Sequence, residues 1–533
     1  MQRFAFGKDR RIGGLISAIL TMAIVGGSRS AASADPPSEP SLTDGTVGSS
    51  IDRATHWLKS KRHVDGSWED REKSDDDYRG GDTALAVLAL LYAGEDPRQE
   101  DMARSIAWLA GADLKTTYTI ACRAHALSLG GGSKHRSKLE DDVQWLTRNI
   151  WPRGVKSMGG YDYRVIPARQ PEGGRYDNSN SQFGVLGAWM SAEAGLRVPQ
   201  DYWLLVEDHW LRDQNNDGGW GYEFGGNSTG SMTAAGLATM YVVLDQVHAR
   251  DEGRFDGTKT VNCGNYKAAT RVIAAIETGL SWLGREFTPE NPRGSREWKY
   301  YYLYGVERAG RASGRKYFRQ QDWFRVGALD LLGAQTDEGH WPGSGEGMTA
   351  HRNTCFATMF LCHGRAPLFM NKLDHGADSQ NKLRDMAGLN RYAEGAFERL
   401  LNWQTVSLEG DFADLLDAPL LYMSGHETWK FSDAEVQKLR EYCLRGGMIF
   451  SVACCGDPRF VAGWRELAEA TFPDYRMRPI PEDHPLFSGE VQYQISKPPQ
   501  MYEVNSGQRT LMLLCTRDIC SAWNQNLTAQ HEE

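Results

Sequence analysis

The chain has 533 residues, 41% hydrophobic and 24% charged, a globular composition that excludes a disordered or fibrous protein. Sixty Lys and Arg against 69 Asp and Glu give a net charge of −9, without the basic excess that nucleic-acid binding normally brings, so no nucleic-acid partner is expected. Nine cysteines are too few for a disulfide scaffold, and their number is odd.

The first 34 residues read as a processing segment. Arg3, Lys8, Arg10 and Arg11 form a positive start, 12–25 is a short apolar run, and Ala32-Ser33-Ala34 offers a small-residue cleavage site. The run falls short of the roughly 20 residues that span a bilayer, which favours a cleaved signal over an uncleaved anchor. The expected product is a bacterial protein exported to the periplasm or beyond, with no transmembrane span in the mature chain. A linker, 35–49, follows.

From residue 50 to 365 the sequence repeats. Six apolar segments place a small polar residue three positions before a very small one: Thr83 and Ala86, Thr119 and Cys122, Ser181 and Gly184, Thr233 and Gly236, Thr354 and Ala357, with Tyr302 and Gly305 carrying Tyr instead. Apolar residues on nearly every face predict buried helices. Between them, 51–61, 99–109, 139–150, 202–212, 269–283 and 322–334 each carry one apolar stripe and one charged face, the pattern of surface helices. Six such pairs, each needing a neighbour to cover its face, predict a closed (α/α)6 toroid.

The turns add a second signature. Asp65-Gly66-Ser67-Trp68, Asp217-Gly218-Gly219-Trp220 and Glu338-Gly339-His340-Trp341 follow outer helices, Gln214 and Gln335 precede two of them, and Gly159-Gly160-Tyr161 is a weaker copy. This pattern resembles the repeats of the terpenoid-cyclase and protein-prenyltransferase superfamily. The resemblance implies the toroid and an apolar, isoprenoid-like ligand, while the repeats themselves are structural. Squalene–hopene-type cyclases protonate an alkene through Asp-x-Asp-Asp. The counterpart here, Ser74-Asp75-Asp76-Asp77, has Ser at the leading position, so Asp76 and Asp77 are weighed as catalytic acids against a solvated loop. Within 50–365 the Asp-x-Cys of zinc prenyltransferases and the Cys-x-Glu-Gln of thioester toroids are absent. Asp213-x-Asn215-x-Asp217-Gly218 opens like a calcium loop but has Phe224 at the twelfth position. No metal or cofactor is expected.

Polar groups on the predicted inner helices are the candidate ligand contacts. Arg123 and His125 interrupt the second, Glu307 and Arg308 the fifth, behind Tyr301 and Tyr304, and Asp82 opens the first. They line an aromatic-walled pocket or form buried ion pairs that fix the packing.

A linker is expected over 366–388, then an α/β domain over 389–533 of flavodoxin or amidotransferase type. Strands at 403–408, 419–423, 448–453 and 510–515 alternate with helices at 390–401, 432–445 and 458–471, the second opened by Ser432 as N-cap with Glu435 three positions on, which predicts a mostly parallel sheet. Asn402-Trp403-Gln404, Gly425-His426, Gly446-Gly447, Cys454-Cys455-Gly456 and Asp483-His484-Pro485 resemble a bacterial domain of unknown function with a class I glutamine-amidotransferase-like fold. The resemblance implies a cysteine nucleophile at a strand-to-helix elbow. Cys454 or Cys455 occupies such a turn, with His484 as base and Glu482 or Asp483 as orienter; the alternative is a bonded or simply buried cysteine pair.

Two functions remain: an exported, non-catalytic scaffold for a ligand or protein partner, or an enzyme, either isoprenoid-processing or thiol-dependent. The broken catalytic motifs favour the scaffold.

Overall fold

A computed structural model describes residues 42–69, 78–165, 173–249, 254–255, 260–261, 263–264, 266–290, 292–345, 347–487 and 498–526. The expected export segment and the pair Asp76 and Asp77 lie outside the described residues. Among the described residues no helix is long and apolar enough to cross a membrane. The chain divides into two compact units: Pro37–Val247 with Ala269–Arg365, and His248–Ala268 with Ala366–Glu533.

The first unit is helical. Among its described residues six surface helices, α1 (Asp44–Ser60), α3 (Glu100–Gly111), α5 (Arg136–Arg148), α7 (Gln200–Asp213), α9 (Thr270–Glu286) and α11 (Trp323–Ala334), alternate with six buried ones. The buried set is α2 (Gly81–Tyr92), α4 (Thr117–Gly130), α6 (Asn178–Glu193), α8 (Gly230–Val243), α10 (Lys299–Ser313) and α12 (Ala350–Gly364). Every residue of α8 is buried, whereas α9 buries Val272, Ala275, Ile276, Gly279, Leu280 and Leu283 on one stripe. Each buried helix packs on the next in chain order, and α12 packs back on α2. The two-residue ladder of β3 (Tyr317–Phe318) and β4 (Gln321–Asp322) precedes α11; another, β1 (Arg254–Phe255) with β2 (Thr260–Val261), belongs to the second unit.

The repeated turns share one set of bonds. Trp68, Trp220 and Trp341 each donate the backbone N–H to the repeat hydroxyl of the following buried helix: Thr83 (3.0 Å), Thr233 (3.1 Å) and Thr354 (3.1 Å). Each indole N–H donates to a carbonyl in the last turn of the preceding surface helix, on Leu58, Trp210 and Leu331. Tyr161 makes the same pair, to Ser181 Oγ and Leu146 O. The very small residue three positions on is steric: a Cβ at Gly184 would stand 2.7 Å from the Tyr161 ring. Gln214 and Gln335 then tie each turn to the next surface helix, through Ala275 O and Ser50 O.

The second unit has a seven-stranded sheet in the order β6-β5-β7-β8-β11-β10-β9. Its strands are β5 (Leu368–Asp374), β6 (Asn402–Ser407), β7 (Leu420–Gly425), β8 (Met448–Ala453), β9 (Met477–Pro479), β10 (Met501–Asn505) and β11 (Thr510–Cys515). The first five strands run parallel, and β10 pairs antiparallel with both β11 and β9. Both faces are buried: Leu420 and Tyr422 point to one core, Leu421 and Met423 to the other. Helices α13 (Asp385–Phe397), α14 (Phe412–Leu416), α15 (Asp433–Leu444), α16 (Pro458–Thr471) and α17 (Cys520–Asn524) complete the unit. The expected capping box starts α15, with Ser432 N–H donating to Glu435 Oε2 (2.7 Å).

Three expected boundaries move. The linker expected over 35–49 already contains the first turns of α1, which starts at Asp44 behind the Thr43 cap. The linker expected over 366–388 contains β5, an interior strand whose polar Asn371 and Lys372 both find acceptors for their donors in place. Asn371 Nδ2 donates to Leu415 O (3.0 Å), and Lys372 Nζ to Asp385 Oδ1 (2.8 Å) and Lys382 O (2.9 Å). The repeat region expected to be continuous over 50–365 is interrupted, because 248–268 joins the α/β unit. Tyr266 OH donates to Asn381 O (3.1 Å) and accepts from Leu383 N (2.9 Å), and Cys263 is disulfide-bonded to Cys455.

Candidate functional site

Most of the polar residues singled out on the buried helices are held by neighbours; the exception is Glu307, neither of whose carboxylate oxygens makes a hydrogen bond among the described residues. Arg123, 2% exposed, donates to both carboxylate oxygens of Asp142 (2.8 and 2.6 Å) and to Ala112 O (2.6 Å), so it clamps α4 to α5. Asp82 pairs with Arg352 Nε (2.6 Å), joining α2 to α12. His125 shares a hydrogen bond with Tyr92 OH (2.6 Å), and burial lowers its pKa to about 3, helped by His363 and Arg308. Glu307, fully buried, stands 3.0 Å from His363 Nδ1 and 3.6 Å from Arg311. Arg308 donates to Gln182 Oε1 (3.1 Å) and lies over the Tyr304 ring, and Tyr304 packs on Phe356. Tyr301 OH bonds Ser179 Oγ (2.6 Å) and Gln182 Nε2, its ring against Phe183 and Phe356.

An open groove of about 500 Å³ lies instead beside the N-terminus of α6, lined by Lys156, Tyr163, Arg175, Tyr176, Asp177 and Tyr222 among others. Asp177 caps α6 by accepting from Asn180 N (2.7 Å), and burial pushes its carboxyl up to about 6 against those hydrogen bonds. Tyr163 and Tyr222 join their hydroxyls at 2.8 Å.

The densest chemistry is in the α/β unit. Read from β5, the parallel strands run in the order 2-1-3-4-5, an arrangement that places ligand sites at the carboxyl ends of its strands. Three loops at that edge converge. Asp378 sits in the turn after β5, His426 directly follows β7, and Cys454 and Cys455 form the turn after β8. His426 Nδ1 donates to Asp378 Oδ1 (3.0 Å), and the N–H groups of His426 and Glu427 donate to Asp378 Oδ2 (2.6 and 3.0 Å). A Cβ at position 425 would collide with that oxygen, so the approach requires Gly425.

The other face of the imidazole meets sulfur. Nε2 is 3.0 Å from Cys263 Sγ and 3.4 Å from Cys455 Sγ, and Cys454 Sγ is 3.3 Å from Cys263 Sγ. Cys455 has left-handed backbone, φ 57°, held by its N–H donating to Asp518 Oδ2 (2.9 Å). Asp518 also accepts from Cys520 Sγ (3.2 Å). The hydrogen bond to Asp378, then that to Cys454, holds His426 up at about 10. Burial pushes the Cys454 thiol up, but hydrogen bonds from Cys520 and His426 outweigh it and the net direction is down. The result is a buried thiol, an imidazole and a carboxylate in one hydrogen-bonded chain.

The expected cysteine turn is thus present, but Cys455 bonds to Cys263, not to its neighbour Cys454. The imidazole beside it is His426; His484 instead accepts from Leu486 N (3.1 Å). His426, Asp378 and Cys263 escaped the sequence reading because His426 and Asp378 follow separate strands and Cys263 lies 163 residues before His426. The available signal was position: both follow apolar strands at the edge where such sheets bind ligands.

No curated protein matches the sequence. Among solved structures the chain is similar to the type II terpene cyclase MstE from Scytonema (12% identity, TM-score 0.39, covering 61% of this chain and 99% of that one). It is also similar to a possible GH105-family member from Salmonella enterica (12%, TM-score 0.41, 62% and 96%) and to an inactive α-1,6-mannanase variant, GH76A, of Salegentibacter (7%, TM-score 0.41, 60% and 99%). Residues 370–533, most of the α/β unit, match the family model described as Domain of unknown function (DUF4159).

Proposed function

We propose that the chain is an exported, non-catalytic binding protein, its helical unit an (α/α)6 toroid that offers the groove beside α6 to a polar ligand or a protein segment. One observation carries this reading. Charged groups on the buried helices are spent on neighbouring charges, Arg123 on Asp142 and Asp82 on Arg352, and the open recess is lined by tyrosine and charged side chains. Three tyrosines interleaved with Lys156, Arg175 and Asp177 suit hydrogen bonding and ring stacking more than an isoprenoid chain.

The test is native mass spectrometry of the full chain purified from its exporting host. Tyr222→Ala and Arg175→Ala are expected to release the bound mass, and Tyr301→Phe to retain it. Loss with Tyr301→Phe and retention with the groove variants would move the ligand into the ring interior and favour isoprenoid chemistry. A second reading, thiol-dependent catalysis in the α/β unit, is favoured by the alignment of Asp378, His426 and Cys455 at 3.0 and 3.4 Å. A reactive thiol of that kind would be alkylated selectively at Cys455 after mild reduction.

A further inference from the structure

Four soft or borderline donors meet at the carboxyl edge of the sheet: the sulfurs of Cys263, Cys454 and Cys455 and the Nε2 of His426, all within 4.8 Å of one another. A lone cysteine nucleophile needs one sulfur and one base; this cluster has three sulfurs around one imidazole. We propose that Cys263, Cys454, Cys455 and His426, in the reduced chain, bind a divalent cation of the zinc class as a tetrahedral Cys3His site.

The distances fit that geometry. With metal–sulfur bonds of about 2.3 Å, the edges of a tetrahedral site are about 3.8 Å between sulfurs and about 3.5 Å between sulfur and nitrogen. Cys454 and Cys455 stand 3.8 Å apart, Cys263 and Cys454 3.3 Å, and His426 Nε2 lies 3.4 Å from Cys455 and 3.0 Å from Cys263. Each lies within about 0.5 Å of the ideal edge. The bonded pair, Cys263 and Cys455, must separate.

The surroundings are those of a metal ligand set. Metal-binding histidines usually give their second N–H to a carboxylate, which fixes the ring and raises its donor strength. His426 gives Nδ1–H to Asp378, and Asp378 is anchored by two backbone N–H groups. Asp518 fixes the cysteine turn through Cys455 N. Cys454 is fully buried and Cys263, Cys455 and His426 partly so, which shields three thiolates from competing water and leaves a path for entry.

Oxidation and metal binding exclude one another at this site. A phosphine delivers the two electrons that break the Cys263–Cys455 bond, and one water supplies the two thiol protons and the oxygen of the resulting phosphine oxide. The cation then takes three sulfurs and one nitrogen and expels the protons they carry, leaving a site of net charge −1. The donors all belong to the α/β unit, so the site stands or falls independently of the groove beside α6.

The experiment is cobalt(II) titration of the full chain reduced with a phosphine, followed by zinc competition and metal analysis. The expected result is one cobalt per chain, with the strong visible bands of tetrahedral cobalt and a sulfur-to-metal charge-transfer band, all lost when one equivalent of zinc is added. Cys454→Ser and His426→Ala should each weaken binding at least tenfold, and Asp378→Asn by about 10–100-fold with the tetrahedral spectrum kept. Cys443→Ser, a buried cysteine away from the cluster, should bind as the parent does and controls for folding. The unreduced chain should bind none. Failure of the reduced parent to bind, weak octahedral cobalt, or full-strength binding by Cys454→Ser would overturn the assignment. So would loss of binding in Cys520→Ser with retention in Cys263→Ser, which would place the metal on the Cys454, Asp518 and Cys520 group instead.

Discussion

Asp142→Ala tests whether Arg123 is a structural clamp or a free ligand contact. The Arg123 guanidinium makes three hydrogen bonds, two to Asp142 and one to Ala112 O, and both charged side chains are about 2–3% exposed. Removing Asp142 deletes two charge-assisted bonds, worth about 1.5–3 kcal/mol each, and leaves a buried cation without its counter-charge. Loss of one partner of a buried pair costs about 3–5 kcal/mol, and the two figures agree. Replacing both, Arg123→Met with Asp142→Leu, removes the charges together but leaves Ala112 O without a donor, so the expected cost is about 1–3 kcal/mol. Urea denaturation followed by far-ultraviolet circular dichroism measures both. A double variant as unstable as Asp142→Ala, or an Asp142→Ala chain within 1 kcal/mol of the parent, would mean that Arg123 is not desolvated and is available to a ligand.

Asp177→Asn keeps the cap on α6, since Asn caps as well as Asp, and removes a carboxyl whose folded pKa is about 6 against an ordinary 3.8. The folded chain therefore holds that proton more tightly, so the parent loses stability as pH rises from about 4 to 6, by about 3 kcal/mol in all. The variant should be more stable than the parent above pH 6, with the advantage gone below pH 4; a constant difference across that range would contradict the burial argument. Gly187→Ala should destabilise by about 1–2 kcal/mol, because its Cβ would stand 2.8 Å from Ala121 Cα and overpacking outweighs the gain in helix propensity. Gly284→Ala, with nothing within 4 Å of its Cβ, should instead stabilise by about 0.5–1 kcal/mol. Alkylation of the urea-unfolded chain should label seven cysteines without reductant, and peptide mapping should join Cys263 to Cys455; a Cys454–Cys455 link would refute the assigned pairing.

The repeats were legible because each is a local solution to one burial problem. A surface helix needs one apolar stripe, a buried helix needs apolar residues all round, and the turn needs an aromatic hydrogen-bond donor facing a very small residue. Thr233, Gly236 and Trp220 lie within 17 positions and are held together by bonds that one repeat contains. The α/β alternation and the Ser432 cap were legible for the same reason. The strand β5 was not, since Asn371 and Lys372 break the apolar run and only their buried partners, Leu415 O and Asp385, make them tolerable.

The sites follow the opposite rule. Sequence alone determined that Arg123 and Glu307 lie on buried helices and that Cys454 and Cys455 occupy a turn after a strand. Tertiary structure decided that Arg123 is consumed by Asp142, that the turn faces His426 instead of His484, and that Cys263 reaches it from 191 residues before Cys454. Helix and strand periodicity is set by neighbours a few residues away, so it is written in short windows. Which side chains meet at the carboxyl edge of a parallel sheet depends on strand order, which puts β5, β7 and β8 side by side and draws the 248–268 segment onto the same unit. No short-range pattern records that order, because the contacts that stabilise it form only once the whole sheet is closed in its two hydrophobic cores.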